Sequence, residues 1–486
     1  MVYIFVYILA SALIALIVHR FLKSNSWLEP TVPDEFYIDG YFGAGDSRPD
    51  DASVATLENH QSLVTDECLK DLKRRLVMAR LSEHKITNNN NNNSNSNIDL
   101  QWLGRPHHLQ HTIDYWISEF DWRKQEKKLL TNADHYRVTL EGLQVHFIKI
   151  ISANYERAHK SVGVLLCNGW PSCFVEYNNL LTLLRQDDGH DGDKLAYEAI
   201  VPSIPGFGYS EAPRRAGFNA IACARLFNKL MLCLGYRQYY VLGSDWGSLI
   251  GGYIASAWPE RVLGFHTTTP CPWPPATLAS VRYWARLLVA KLRPSLLLDN
   301  PSVEVKCLPS PRELIERLWN HSGQYHLQAT QPQLVAPALN DSPAGLAAYI
   351  LQEFGVDNRT SKAQLDALLS ICMIYWTQEN VDAAMHFHKE CHSHLLPGSG
   401  SYQSLTVGEH VPCGVSTLEG DLLRQPISFL RAKYRRIVYV NHLEHRGRHL
   451  ALENPTLFYE EMKRFIHTCE NLDQNNNDND QQQQSL

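Results

Sequence analysis

Five residues, Gly243-Ser244-Asp245-Trp246-Gly247, stand between a short β-rich run, Tyr239–Leu242, and an apolar helical stretch from Ser248 to Trp258. A chain that passes from strand to helix in so few residues must turn sharply, and glycines two positions either side of the centre permit the close backbone approach this requires. The central side chain is then presented at the sheet edge, beneath the positive end of the helix. Here it is Asp245. A serine at that point would suggest an esterase or lipase; a carboxylate suggests attack at carbon and an ester intermediate, as in chemistry on epoxides or alkyl halides. The plainer role for an aspartate there is to cap the helix.

The flanking sequence has the rhythm such a turn needs. Short β-rich runs at Val162–Leu166, Tyr197–Val201, Tyr239–Gly243, Val262–His266, Val411–Ser416 and Ile437–Asn441 alternate with helical patterns. This predicts parallel strands joined by crossover helices, an α/β fold whose core comes in two parts, residues 161–266 and 411–469. Between them, residues 267–410 are rich in Trp, Tyr, Leu and Pro with helical periodicity and predict a helical cap. Ligands bind beyond the carboxyl ends of such strands, so an insertion at this point roofs the site. Cys167-Asn168-Gly169-Trp170-Pro171 follows the first of these strands, where a second oxyanion-hole amide is expected. The backbone N–H groups of Trp170 and Trp246 are then expected to face a common point. Pro205-Gly206-Phe207-Gly208-Tyr209-Ser210, after Val201, completes the ordered series.

The ends of the chain read differently. Val2 to Val18 is an uncharged apolar run that extends to Leu22, about long enough to cross a bilayer as a helix, with Arg20 and Lys23 at its far end. Positive charge does not precede the run and no small-x-small site follows it, so an uncleaved anchor over residues 1–23 is expected rather than a signal peptide, with the bulk of the protein facing the cytosol. Eleven Cys scattered singly agree with a reducing compartment. The balance of 45 basic and 51 acidic residues, a net charge of −6, provides no stripe for phosphates, which argues against nucleic acid as a partner. The Asn-rich tract 88–97 within the amino-terminal segment 24–160, and the Asn/Gln-rich tail 470–486, cannot bury a core face and are expected to be disordered.

Several further motifs carry a resemblance: Glu119-Phe120-Asp121-Trp122-Arg123, Glu141-Gly142-Leu143 with His146-Phe147-Ile148, the run from Leu339 to Ile350, and Tyr375-Trp376-Thr377. With the Gly-Trp-Pro turn and the Asp245 pentapeptide, they make the sequence similar to the microsomal epoxide hydrolase family, which includes the juvenile hormone epoxide hydrolases of insects. The resemblance implies an α/β-hydrolase fold with a helical cap and an amino-terminal segment that wraps the core. It implies an endoplasmic reticulum membrane protein that adds water to a small lipophilic epoxide, juvenile hormone or a foreign epoxide, to give a diol. No cofactor, metal or obligate protein partner is called for. By the same resemblance Asp245 is the nucleophile, Tyr375 the donor that protonates the epoxide oxygen, His449 the general base and Asp421 the acid that orients it. A phenol suits the donor role because it stays protonated at neutral pH.

The chain departs from the family pattern at three points. Asn168 stands where the family has His before Gly-Trp-Pro. Gln324 follows Ser322-Gly323 where a second cap tyrosine is expected, leaving Tyr325, one place later, as the candidate second donor. Counting back seven from Pro455 reaches Arg448, with His449 one place nearer, so the base requires a compensating shift in the loop. An arginine in that role could not accept a proton, and the chain would then alkylate itself and stall, or bind an epoxide or diol without turnover. A haloalkane dehalogenase-like reaction is a second alternative, against which Tyr375 argues.

Overall fold

The runs around positions 164, 199 and 241 are apolar on both faces apart from Glu198, so strands built from them must be covered on both sides. In the computed structural model these runs lie at the centre of a nine-stranded sheet. Its strands are β1 (Asp51–Thr56), β2 (Asp134–Leu140), β3 (Leu143–Ile151), β4 (Lys160–Cys167), β5 (Leu195–Pro202), β6 (Tyr239–Gly243), β7 (Val262–Thr267), β8 (Cys413–Leu418) and β9 (Ile437–Leu443). Described are residues 32–46, 50–56, 64–81, 106–187, 195–270, 278–308, 310, 312–313, 316, 319–320, 322–356, 360–395, 405–419, 424–445 and 447–484.

The spatial order is β1-β2-β3-β5-β4-β6-β7-β8-β9. The first three strands form an antiparallel meander joined to β5, and from β5 to β9 every pairing is parallel. Helices Ala220–Cys233 and Trp246–Ala257 pack on each other and on the central strands, while Asn178–Gln186 packs against Pro455–Gln484 in a second layer. All residues of β5 and β6 are buried between these layers. The six expected strands are therefore present, and the carboxyl ends of β4, β6 and β7 lie side by side.

Between β7 and β8 the chain leaves the sheet to form a cap of helices, among them Leu278–Leu292, Gly323–Thr330, Pro343–Leu351, Lys362–Thr377 and Val381–Leu395. Helix Lys362–Thr377 begins with a capping box: the Ser361 hydroxyl accepts from the Gln364 N–H while the Gln364 side chain accepts from the Ser361 N–H. From Leu368 to Trp376 every residue of this helix is buried, which fixes the rotation of its last turn and so the direction of Tyr375.

The amino-terminal segment both extends the sheet and braces the cap. Helices Asp66–Val77, Pro106–Ser118 and Trp122–Asn132 precede the β2–β3 hairpin. Tyr115 Oη and Gln125 Nε2 donate to the two carboxylate oxygens of Asp366, on cap helix Lys362–Thr377, at 2.8 and 2.9 Å. Arg75 pairs with Asp341 at 2.6 Å. At the other end Phe36 packs edge-on to Tyr253 and Trp258 of the central helix, and Arg225 joins the buried Glu141 to the Glu35 carbonyl.

The anchor expected over residues 1–23 and the Asn-rich tract 88–97 lie outside the described residues; among those described, no helix is long and apolar enough to cross a membrane. The tail departs from expectation. Instead of ending near Glu470, the last helix continues to Gln484. Its first turns are pinned by Phe458, Met462, Phe465 and Ile466 in the core, and once nucleated a helix adds one hydrogen bond for each further residue it orders.

Candidate active site

At the end of β6 the backbone folds back on itself as the pentapeptide requires. Asp245 has φ 51° and ψ −123°, a left-handed conformation that a non-glycine residue adopts only at a cost of roughly 1–3 kcal/mol. A Cβ on Gly243 would stand 2.7 Å from the Ser248 nitrogen, and one on Gly247 would overlap the carbonyl of Cys167 on the neighbouring strand. The turn is held by the Asp245 N–H donating to Thr269 Oγ1 at 2.5 Å, and the Ser248 hydroxyl bonds Thr267, the last residue of β7, and Thr269 just beyond it. The Asp245 side chain does not cap the helix that follows. Its Oδ1 instead accepts the backbone N–H of Trp170 at 2.9 Å, across the sheet from β6 to the turn after β4. One of the two expected oxyanion-hole amides is therefore already on the carboxylate. The other belongs to Trp246, the first residue of helix Trp246–Ala257, where N–H groups are free of intrahelical partners and carry the positive end of the helix dipole.

His449 is buried, and its ring lies 4.7 Å from that of Phe354. Its Nδ1 faces Oε2 of Glu176 at 3.5 Å, long for a formed hydrogen bond. Burial pulls the imidazole pKa down, but the hydrogen-bonding and charge of Glu176, with Asp245 and Glu453 behind them, outweigh it and hold the pKa above its ordinary value. Asp245 is thus close enough for its charge to act on this ring. Arg448 turns outward to Glu353, 3.7 Å away. Of the two candidates, His449 is the one that is buried, faces Glu176 and feels the charge of Asp245. Asp421, expected as the orienting acid, lies outside the described residues.

Tyr375 is fully buried and its Oη donates to the Ser172 carbonyl at 2.8 Å, in the same turn that provides the Trp170 amide. The Trp170 and Tyr375 rings meet edge-on at 5.2 Å. Burial, with Cys173 and Asp245 adding to it, raises the phenol pKa well above its usual value, so the proton stays on oxygen. Tyr325 is not placed with these groups as expected of a second donor. It sits at the solvent-facing edge of the cap, 37% exposed, with its hydroxyl 3.3 Å from His392 Nδ1. Gln324 Nε2 donates to the Tyr349 carbonyl at 3.1 Å. The extra residue before the tyrosine rotates it about 100° around the helix, and an aromatic ring so displaced goes to the outside.

Three residues at the site carried no local signal. Glu176, in the short turn Phe174–Tyr177, is 1% exposed. His388, on helix Val381–Leu395, accepts the Trp246 indole N–H at Nε2 (2.8 Å) and donates from Nδ1 to the Ala384 carbonyl (2.9 Å). Burial pushes its pKa down to about 4, so it is a neutral acceptor that fixes the indole. Thr269 was foreshadowed only by the run of threonines after β7. Beside Asp245, the rings of Trp170, Trp246, Phe207 and Phe387 interlock edge-to-face at 5.6 to 6.2 Å.

Residues 57–177 match the family model described as epoxide hydrolase N terminus, and residues 163–331 match the alpha/beta hydrolase fold. The chain is similar to Epoxide hydrolase 1 of Sus scrofa, 31% identical over 440 residues, which cover 88% of this chain and 92% of that protein. It is similar also to the juvenile hormone epoxide hydrolase of Bombyx mori, 32% identical over 378 residues, covering 74% and 77%. The crystal structure of juvenile hormone epoxide hydrolase from the silkworm Bombyx mori superposes with a TM-score of 0.75 at 27% identity, over 90% of this chain and 99% of that one.

Proposed function

The chain belongs to the epoxide hydrolase family, and we propose that it opens lipophilic epoxides to diols through an ester on Asp245. The observation that carries this reading is the Trp170 N–H on Asp245 Oδ1, at a left-handed turn whose carboxylate also acts on His449. One carboxylate oxygen is held by the amide, which leaves the other to attack an epoxide carbon. As the C–O bond of the ring breaks, Tyr375 delivers its proton to the departing oxygen; a phenol kept protonated by burial suits this. The product is a hydroxyalkyl ester.

In the second half-reaction His449 takes a proton from water while the water oxygen adds to the ester carbonyl. The negative charge that develops falls on the oxygen already held by the Trp170 amide, with the Trp246 amide at the helix end beside it. Collapse breaks the bond to the alkyl oxygen, which takes the proton from His449 as the second hydroxyl of the diol, and the proton left on the Asp245 carboxyl returns to the Tyr375 phenolate, so that carboxylate, base and donor are all restored. The rings beside Asp245 favour an apolar substrate, since edge-to-face rings give large contact area without polar groups to satisfy. Juvenile hormone, a lipophilic epoxide ester, and foreign apolar epoxides both meet that requirement.

We further propose that the apolar run ending at Leu22 anchors the protein in the endoplasmic reticulum membrane with the catalytic domain in the cytosol, where apolar substrates partition. Its composition supports this: no charged residue occurs from Val2 to Val18. Alkaline extraction of membranes should leave the full chain in the pellet and a chain lacking residues 1–23 in the supernatant. The catalytic reading is tested by intact-mass measurement after mixing with excess long-chain 1,2-epoxyalkane. The wild type should yield diol with little standing adduct, His449→Gln an adduct of the substrate mass, and Asp245→Asn neither. Diol formation by Asp245→Asn would overturn it.

A further inference from the structure

His388, on cap helix Val381–Leu395, lies against both residues whose amides are expected to hold the ester oxygen. The Trp246 indole meets its ring edge-on at 5.0 Å and the Trp170 indole does so at 5.5 Å. The two tryptophans come from the ends of different strands, Trp170 in the turn after β4 and Trp246 at the first position of the helix after β6. One imidazole of the cap therefore bridges the two turns.

Its polar atoms are committed in one sense only. A carbonyl can only accept, so the bond to Ala384 puts the ring proton on Nδ1 and leaves Nε2 as an acceptor, which the Trp246 indole N–H fills at 2.8 Å. The side chain is buried, and burial keeps the ring neutral at working pH. An imidazole with both nitrogens in use has no atom free to exchange a proton with substrate. What it fixes is the far end of the Trp246 side chain, and the Trp246 backbone directly follows the strained left-handed Asp245. Without the acceptor, a buried indole N–H would be left unpaired and the ring would be free to turn.

We propose that His388 is a positioning residue supplied by the cap: by accepting the Trp246 indole N–H while packing against Trp170, it fixes the spacing of the two amides and makes hydrolysis of the ester depend on how the cap is seated. This rests on the oxyanion role proposed for those amides. Opening of the epoxide depends on His388 less, because the carboxylate is then held through the Trp170 amide, and Trp170 is packed independently by Tyr375 and Phe207. The charge of the tetrahedral species calls on both amides at once.

The test compares His388→Leu, which fills the space without an acceptor, with His388→Gln, whose Oε1 can stand in for Nε2, both in the full chain. Standing adduct by intact mass and the rate of diol release, measured together with the 1,2-epoxyalkane in excess, give the rates of alkylation and of ester hydrolysis. His388→Leu should alkylate within about threefold of wild type and hydrolyse the ester about tenfold more slowly, short of the roughly 10²–10³-fold that follows removal of a donor outright. His388→Gln should recover most of that loss. The indole ¹H–¹⁵N resonance of Trp246, assigned by its loss in Trp246→Phe, reports the bond without any substrate. It should move upfield in His388→Leu and return towards its wild-type position in His388→Gln. A side chain that only packed would slow both steps alike and would not be rescued by glutamine. Hydrolysis by His388→Leu within threefold of wild type, equal losses in the two steps, or an unmoved indole resonance overturns the proposal. So does a His388→Gln protein that keeps the resonance yet hydrolyses as slowly as His388→Leu. Diol formation by Asp245→Asn would overturn the functional reading instead, and the spectra would still decide the bond.

Discussion

Gly169→Ala isolates what the geometry of Asp245, the proposed nucleophile, contributes to the reaction. A methyl carbon at this position would stand 2.3 Å from Asp245 Oδ1, 2.5 Å from its Cβ and 2.8 Å from its Cγ, where ordinary contact begins at 3.4 Å. The aspartate side chain must therefore give way by about 1 Å, since the closest contact falls short of 3.4 Å by about that much. Such a shift breaks the 2.9 Å bond from the Trp170 N–H and moves the attacking oxygen off line. A misplacement near 1 Å costs about 10²-fold in rate, equivalent to about 2.7 kcal/mol of barrier. The three closest contacts of the added methyl are all with the side chain it displaces, so the thermal midpoint should stay within a few degrees of wild type. The assay is the rate of adduct formation by intact mass in a His449→Gln background, where the ester accumulates and hydrolysis does not intervene. Alkylation by the Gly169→Ala chain within threefold of its parent would refute the reasoning, because the carboxylate would then be working from somewhere other than its place beside the Gly-Trp-Pro turn.

Tyr375→Phe removes the donor that stands on the Ser172 carbonyl and should slow alkylation by about 10²–10⁴-fold while leaving hydrolysis of a preformed ester nearly unchanged; single-turnover kinetics separate the two. Tyr325→Phe, at the exposed cap edge, should change alkylation less than threefold, and a loss comparable to that of Tyr375→Phe would restore it as a donor. His449 acts as a base only when neutral, and its pKa is held above the usual 6.5, so ester hydrolysis should fall as pH drops through a value higher than that. Alkylation does not call on it, so standing adduct should build up at pH 6 and decline as the pH is raised. Asp366→Asn weakens both hydrogen bonds that tie the amino-terminal segment to the Tyr375 helix, and should lower the thermal midpoint by a few degrees, roughly 1–2 kcal/mol, with a larger effect on alkylation than on hydrolysis.

Much of this site could be read without coordinates because it is built from short backbone devices. A strand, two glycines and an aspartate dictate a sharp turn wherever they occur, and Gly169-Trp170-Pro171 after an aliphatic strand leads to the same edge of a parallel sheet. Tyr375 was found through its motif, and no periodicity would have singled it out from the packing residues around it. The approach of Glu176 to His449 was out of reach, since the two are brought together only by the adjacency of the turn after β4 and the loop after β9. Tyr325 was misplaced for a related reason: a shift of one residue leaves composition and motif nearly intact but turns a side chain to another face of its helix.

The sequence by itself determined the parallel core, the insertion of a helical cap and the place of Asp245 at the turn after β6, because each depends on neighbours along the chain and on the requirement that apolar strands be covered. Only the tertiary structure decided which of Arg448 and His449 is buried and how the amino-terminal segment grips the cap. Those choices depend on distances between residues far apart in the chain, where a change of register by one position reverses which side chain is buried and which meets water.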